Sequence, residues 1–471
     1  MTTILTDDTV LNLDQARDLM AARIREAYSS SSPTGTGPDF TRLEVAVAVI
    51  DPLIWLQSQQ SPVKTYWYSR DGEFEMAGIG SADIVTGGAD DDWSRVLTRL
   101  NARLTESDNK LRYFGGRRFD GDDCPADSPW VGFGSYRFIL PQVELLRRSD
   151  KTVLACNLAP LENDFAANGL LEELRVMVPP VVIPDGILPE VLHRSDCPSR
   201  QEWLARVRSV CESFGSTEMQ KLVLARQTSL VLSDPPDPTG LLRRLASTGS
   251  GCFRFCFQIE QHSALIGASP ELLYRRQEQR VRSEAMAGTR PRGNSLNEDR
   301  ALERQLLTSP KELAEQQFVA GHVRETLQQL AAEDVREHGP EVLKLSTVQH
   351  LVTRFESSLA AGITDDDLLS ALPPTPAVGG WPIEPALKEI SRFELFDRGW
   401  YAGPVGWISD RESEFAVAIR SGLVAGEKIH LYTGAGIVPG STPESEWQEL
   451  QSKLAGFTGI WTEVCSPGLS V

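Results

Sequence analysis

The chain has 471 residues, 41% hydrophobic and 24% charged, the balance of a water-soluble globular protein. Its formal net charge of −18 excludes a broad basic face for nucleic acid or anionic membrane, and any anionic substrate must meet locally concentrated cations, backbone dipoles or a metal. Seven scattered cysteines without a C-x-x-C pair, and the lack of a leader-like start or a membrane-length apolar run, lead us to expect a reduced, soluble, cytoplasmic protein.

In chain order, the pattern predicts an amphipathic helix over Leu13–Ala27, a flexible polar segment at 29–38 ("SSSSPTGTGP") and a first strand at Leu43–Ile50 ("LEVAVAVI"). "MAGIGSADIVTGG" (Met76–Gly88) holds a Gly-x-Gly, but not the strand–turn–helix unit of a dinucleotide site; glycines in a strand or bulge are expected. The proline-rich "VPPVVIPDGILPE" (Val178–Glu190) closes a poorly signposted front part. We divide the chain into residues 1–198 and 199–465, expected to form one structural domain.

The back part opens with a helix. Ser199 and Glu202 make a capping box, Trp203, Val207, Val210 and Phe214 form an apolar stripe, and Gly215 ends it. "KLVLARQTSLVL" (Lys221–Leu232) is apolar on both faces, as in a buried strand, and "FRFCFQIE" (Phe253–Glu260) alternates. "SALIGAS" and "RVRSEAMAG" continue the β run. Ser309-Pro310-Lys311-Glu312 predicts a second helix with a capping box and proline at its first position. Strand patterns return at "YAGPVGWIS", "FAVAIRSGLV" and "IHLYTGAGIV", and a final helix follows Thr442. This order favours an α/β protein of the α+β type: a single large domain with two big, mainly antiparallel sheets around a cleft and helices outside.

Several segments carry candidate chemistry. In "YTGAGIVPGSTPESEWQEL" (Tyr432–Leu450), a Gly-x-Gly turn whose N–H groups bind an anion runs into a helix rich in carboxylates. Glu446, Glu449 and Lys453 share one helix face; a solvated face with a Glu449–Lys453 surface pair is the plain alternative. A substrate carboxylate bridged to protein carboxylates by Mg²⁺ would use both halves of the stretch. The helix start at Ser309 also supplies Glu312 and Glu315, and Glu315, one turn before Phe318 and Val319, can face inward; solvated helix-start acids that favour the dipole are the plainer reading of this segment alone. Lys221 sits in an apolar strand, either snorkelling at an edge or buried and able to act as a base. Glu271, in the Ser269-Pro270-Glu271 turn, either starts a helix or protrudes into a cleft. Arg290 and Arg292 are candidate anion ligands or surface charges. The six histidines, His193, His262, His322, His338, His350 and His430, show no zinc-ligand spacing.

Together "QKLVLAR", "IGASPELL", "EAMAGTRPRG", "VQHL", "PTPAVGGWP", "WYAGPVGW", "AIRSG" and "GAGIVPGSTPESEWQELQSKL" resemble the chorismate-utilising enzymes, a family that includes isochorismate, salicylate, anthranilate and aminodeoxychorismate synthases. The resemblance is dense from about residue 200 to 462 and faint before, in "FGGRRFD" and "WVGFGSYRFILPQVEL". It implies one large domain of two antiparallel sheets around a cleft. Lys221 stands where the amine-adding branch has glutamine, and Ala377 where the pyruvate-eliminating members have threonine. Both features match the isochorismate synthases, with salicylate synthase as the nearest alternative.

By the same resemblance, Lys221 is the base that activates water and Glu271 the acid that protonates the leaving hydroxyl. Glu315 and Glu449 are Mg²⁺ ligands. Gly288, Thr289, His350, Ala377, Tyr401, Ile419, Arg420, Gly434, Gly436 and Lys453 line the chorismate site. Gln316 and Pro373 depart from a histidine found there in many relatives or in siderophore-type members. The implied product, isochorismate, serves siderophore, menaquinone or related metabolism. No glutaminase partner is implied, and nothing calls for more than a monomer. For Lys221 to act as a base, we expect it in an apolar strand without a close protein carboxylate.

Overall fold

The computed structural model describes residues 10–30, 40–91, 93–105, 110–121, 124–159, 164–183, 187–247, 251–346 and 348–462. Most of the polar segment at 29–38, as well as Cys465, lies outside them, and the six described cysteines are free thiols. Among the described residues no helix is long and apolar enough to cross a membrane.

Two large sheets of twelve and nine strands form the core, and every ladder between their strands is antiparallel. The strand patterns of the back part fold as read: Lys221–Leu232, Phe253–Glu260 and Ser263–Ser269 belong to the larger sheet, Arg280–Pro291 to the smaller. Lys221–Leu232 is buried along both faces over its first half, which explains its unbroken apolar run. The long helices Pro310–Leu330 and Pro443–Thr462 pack on strands Arg280–Pro291 and Lys428–Ile437.

Local differences have local causes. The first helix runs to Ser30, and the first strand is Thr41–Val47 because Asp51 starts another helix immediately after it. Its carboxylate accepts the Ile54 N–H at 2.9 Å, which turns the chain out of the sheet. The Ser199 capping box forms in full. At Ser309 only half of the expected box forms: the hydroxyl accepts the Glu312 N–H at 3.4 Å, whereas the Glu312 carboxylate turns to Arg290 at 2.6 Å. The glycines before the last helix do not make an anion-binding turn. Gly434 and Gly436 lie in the extended strand Lys428–Ile437, paired with Ala225 and Val223.

Two of the places where the chain crosses between the sheets lie side by side. Ser263–Ser269 lies in the larger sheet and Leu272–Gln277 in the smaller; Glu412–Val417 lies in the smaller and Ser421–Ala425 in the larger. The crossings are tied together: Val417 N–H donates to Glu271 O, Ala268 N–H to Arg420 O, and the Ser269 hydroxyl to Val417 O. Glu271 is thus no helix-start acid. It and Arg420 are set where the sheets diverge, which is where a cleft opens.

Candidate active site

The cavity between the sheets is walled by strands of both, and helices Pro310–Leu330 and Pro443–Thr462 contribute Glu315, Glu449 and Lys453. The fourteen residues assigned to the site by the resemblance all line this one cavity: Lys221, Glu271, Gly288, Thr289, Glu315, His350, Ala377, Tyr401, Ile419, Arg420, Gly434, Gly436, Glu449 and Lys453; Glu446, on the same helix as the last two, does not. Arg290 lines it too, paired with Glu312, whereas Arg292 is committed to Asp299 at 2.7 Å and does not.

One correction concerns the proposed base. Lys221 is fully buried, but its Nζ lies 2.9 Å from Glu315 Oε1, a close ion pair rather than an aligned hydrogen bond. Gly436 makes the room: a Cβ there would sit 2.7 Å from that oxygen and 3.1 Å from Lys221 Cε. The apolar strand is as expected; the absence of a carboxylate is not. Burial opposes the charge on Glu315, but Lys221, then Lys453 and Lys311, outweigh it and hold the carboxyl below its ordinary value. Glu449 pairs with Lys453 at 2.7 Å, and Lys453 also donates to Gly434 O at 3.0 Å. The two acids therefore face the cavity with a lysine each. Among the described residues no three His, Cys, Asp or Glu side chains gather into a metal-binding group.

Glu271 has the opposite electrostatics. It is buried, and among the described residues its carboxyl has no hydrogen-bond partner. Burial pushes it up to about 8, Glu284 adds to the rise, and Lys221 and Lys453 oppose it. At neutral pH it keeps its proton, the state a general acid needs.

His350 on the smaller sheet and Arg420 at the crossing between the sheets form one unit. Burial, then Arg420 and Lys453, lower His350 to about 3, so the ring is neutral. Its Nε2 lies 3.1 Å from Arg420 Nη2, and because arginine only donates, Nε2 accepts and the proton sits on Nδ1. Nδ1 faces Thr289 Oγ1 at 3.0 Å and Gly288 O at 3.3 Å. Gly288, at φ +75°, is where the strand bulges between Ala287 and Thr289, turning both toward the cavity. Arg420 has no carboxylate partner among the described residues, and Tyr401 stacks on Tyr432 with ring centroids 5.2 Å apart. A guanidinium without a counter-ion beside a neutral imidazole can receive a carboxylate.

The family description "Chorismate binding enzyme" matches residues 28–460. The chain belongs to this family. It is 33% identical over 488 residues to isochorismate synthase 2, chloroplastic, of Arabidopsis thaliana, covering 96% of this chain and 85% of that one. It is 30% identical over 429 residues to the isochorismate synthase MenF of Haemophilus influenzae, covering 90% and 92%. Among solved structures, MenF, the menaquinone-specific isochorismate synthase from Escherichia coli, superposes with a TM-score of 0.84 at 28% identity over 95% of this chain and 99% of that one. Anthranilate synthase component I from Streptococcus pneumoniae shares the fold at a TM-score of 0.68 and 21% identity, covering 83% and 93%.

In this chorismate-binding enzyme the sequence reading passed over Val223, Lys311 and Tyr432, which also line the cavity. Val223 was legible, being two residues from Lys221 on one strand face. Lys311 was hidden by its place in a capping motif, and nothing local marks Tyr432.

Proposed function

We propose that the chain is an isochorismate synthase, an isomerase that reversibly converts chorismate to isochorismate with the help of Mg²⁺. The observation that carries this reading is Glu271, a buried carboxyl raised to about 8 in the same cavity as a buried lysine. Water enters at C2 of the ring, the double bonds shift, and the C4 hydroxyl departs. Hydroxide leaves poorly, so Glu271 gives it a proton and it leaves as water. The attacking water loses a proton to Lys221. One water is taken up and one released, so substrate and product are isomers.

Arg420, held by His350, and Lys453 receive the carboxylate groups, and Tyr401 with the Gly288–Thr289 bulge closes the ring site. Lys221 and Ala377 distinguish the reaction from amination and from pyruvate elimination, through the resemblance drawn from the sequence. Glu315 and Glu449 would hold Mg²⁺. Their oxygen-only donor set suits an ion that takes one or two protein carboxylates and fills its shell with water and substrate oxygens. Bound there, the ion supplies positive charge for a substrate carboxylate. Lys221 faces the Glu315 carboxylate at 2.9 Å, so its service as a base requires Glu315 to be engaged away from it.

The test is the purified protein with chorismate and Mg²⁺, with products separated at several times. Isochorismate is expected, together with the reverse reaction from isochorismate. Salicylate and pyruvate as the main products would replace this reading with salicylate synthase, and an inert protein would remove it.

A further inference from the structure

The edge of the Lys221 strand is covered by two different neighbours with a gap between them. The short strand Gly380–Trp381 pairs only with Lys221 and Leu222, and Val191–Cys197 begins its pairing at Gln227. Val223 N–H still finds Gly379 O at 3.0 Å. The next two groups on that edge, Val223 C=O and Ala225 N–H, have no strand opposite.

Two side chains fill the gap. Glu394 is the C-terminal cap of helix Ile383–Phe393, and Arg398 follows four residues later; their side chains are 4% and 3% exposed. Arg398 grips both Glu394 oxygens, Nη2 to Oε1 at 2.6 Å and Nε to Oε2 at 2.7 Å. Glu394 Oε1 accepts the Ala225 N–H at 2.7 Å, and Arg398 Nη2 donates to Val223 O at 2.9 Å. The pair supplies one donor and one acceptor to the open rung, as a neighbouring strand would.

Its other contacts reach two more walls of the cavity. Arg398 Nη1 donates to Val378 O at 2.9 Å, beside Ala377, and Arg398 O accepts the Tyr401 N–H at 2.9 Å. The guanidinium lies over the Phe119 ring, 4.3 Å from its centroid. Neither Glu394 nor Arg398 lines the catalytic cavity.

We propose that Glu394 and Arg398 are positioning residues, a side-chain rung that fixes the Lys221 strand, the Ala377 turn and the Tyr401 turn in one mutual geometry. This rests on Lys221 acting as the base. A buried ion pair that served stability alone would move the melting temperature and leave turnover per folded molecule intact. A rung that aims Lys221 moves kcat, because a proton must be taken over hydrogen-bond distance. It moves KM less than kcat, since the carboxylate-binding Arg420 and Lys453 stand on other elements.

Arg398→Lys keeps the charge and removes the fork. Expected are a kcat at least about tenfold lower per folded molecule and a KM within about threefold of the parent protein. Glu394→Gln keeps an acceptor for Ala225 N–H and should lose less kcat than Glu394→Ala. The parent protein is assayed alongside: if it is inert on chorismate, the proposed function fails. An active parent with unchanged kcat in Arg398→Lys and Glu394→Ala overturns the rung. Failure of both Arg398→Lys and Glu394→Gln to fold would make the pair a structural tie and overturn it too.

Discussion

Strands from before and after residue 198 meet at three seams, one of them the pairing of Val191–Cys197 with Lys221–Leu232. In the larger sheet Lys64–Tyr68 pairs with Phe253–Glu260, and in the smaller Tyr113–Arg117 pairs with Pro404–Ile408. The front part thus continues both sheets, and its Trp67, Tyr113, Phe114 and Trp130 are as buried as any residue of the back. Yet among the described residues every one that lines the catalytic cavity lies at or beyond Lys221. A strand that only packs has to satisfy alternation and volume, which many sequences do. A strand that bears a base, an acid or a carboxylate receptor has to place particular atoms. Substitutions in the two parts should therefore fail differently, those in the back through turnover and those in the front through stability.

The sharpest break is expected at Lys221→Ala. It should lower isochorismate formation by about 10²–10⁴-fold, the range for a positioned proton-transfer group, while chorismate binding measured by calorimetry stays largely intact. Near-normal turnover would show that the water is activated elsewhere. The Lys221–Glu315 pair adds a second readout. Removing the lysine takes away the largest influence holding Glu315 charged, so Mg²⁺ affinity, followed by titration calorimetry, should change with it.

Glu271 comes next and is tested by pH. Its carboxyl is raised above the ordinary range, so the acid form is present below about 8 and is lost as pH rises through that value. The parent kcat/KM for chorismate should fall roughly tenfold per pH unit beyond about 8. Glu271→Gln should lose most activity and, in what remains, that alkaline limb. A limb that persists in Glu271→Gln belongs to another group.

Arg420→Ala tests binding rather than chemistry. Charged hydrogen bonds of about 1.5–3 kcal/mol translate into a KM about 10–100-fold higher, with kcat falling less. His350→Asn, which leaves Arg420 in place with a weaker guide, should raise KM by a smaller factor. A fall in kcat with KM unchanged would move Arg420 from substrate capture to the reacting centre.

The sequence reading follows the same division. The back strands were legible because Lys221–Leu232 and Phe253–Glu260 have clean apolar patterns, and the site because eight ordered motifs bring its residues together. What escaped notice depends on partners far along the chain. That Gly434 and Gly436 are strand residues follows from their pairing with Ala225 and Val223. That Lys221 meets Glu315 follows from the space Gly436 leaves, which no local pattern shows. Glu394 and Arg398 sit four apart in "FELFDRGWY", a spacing common to countless surface pairs, and only the gap in the neighbouring sheet edge gives it meaning.

The smallest expected effect probes a contact by which the front part touches the cavity wall. Trp130, fully buried, donates its indole N–H to the Tyr432 hydroxyl at 3.0 Å, and Tyr432 stacks on Tyr401. Trp130→Phe removes that hydrogen bond and some ring volume, a loss of about 1–2 kcal/mol in stability. The Tyr432 hydroxyl keeps Gln227 Nε2 as a donor at 3.1 Å, so the tyrosine should hold its place. The melting temperature should fall by a few degrees while kcat per folded molecule stays within about twofold of the parent. A drop of tenfold or more in kcat would mean that the front part sets the position of Tyr401 through Tyr432, and the division between scaffold and site would have to be redrawn through Trp130.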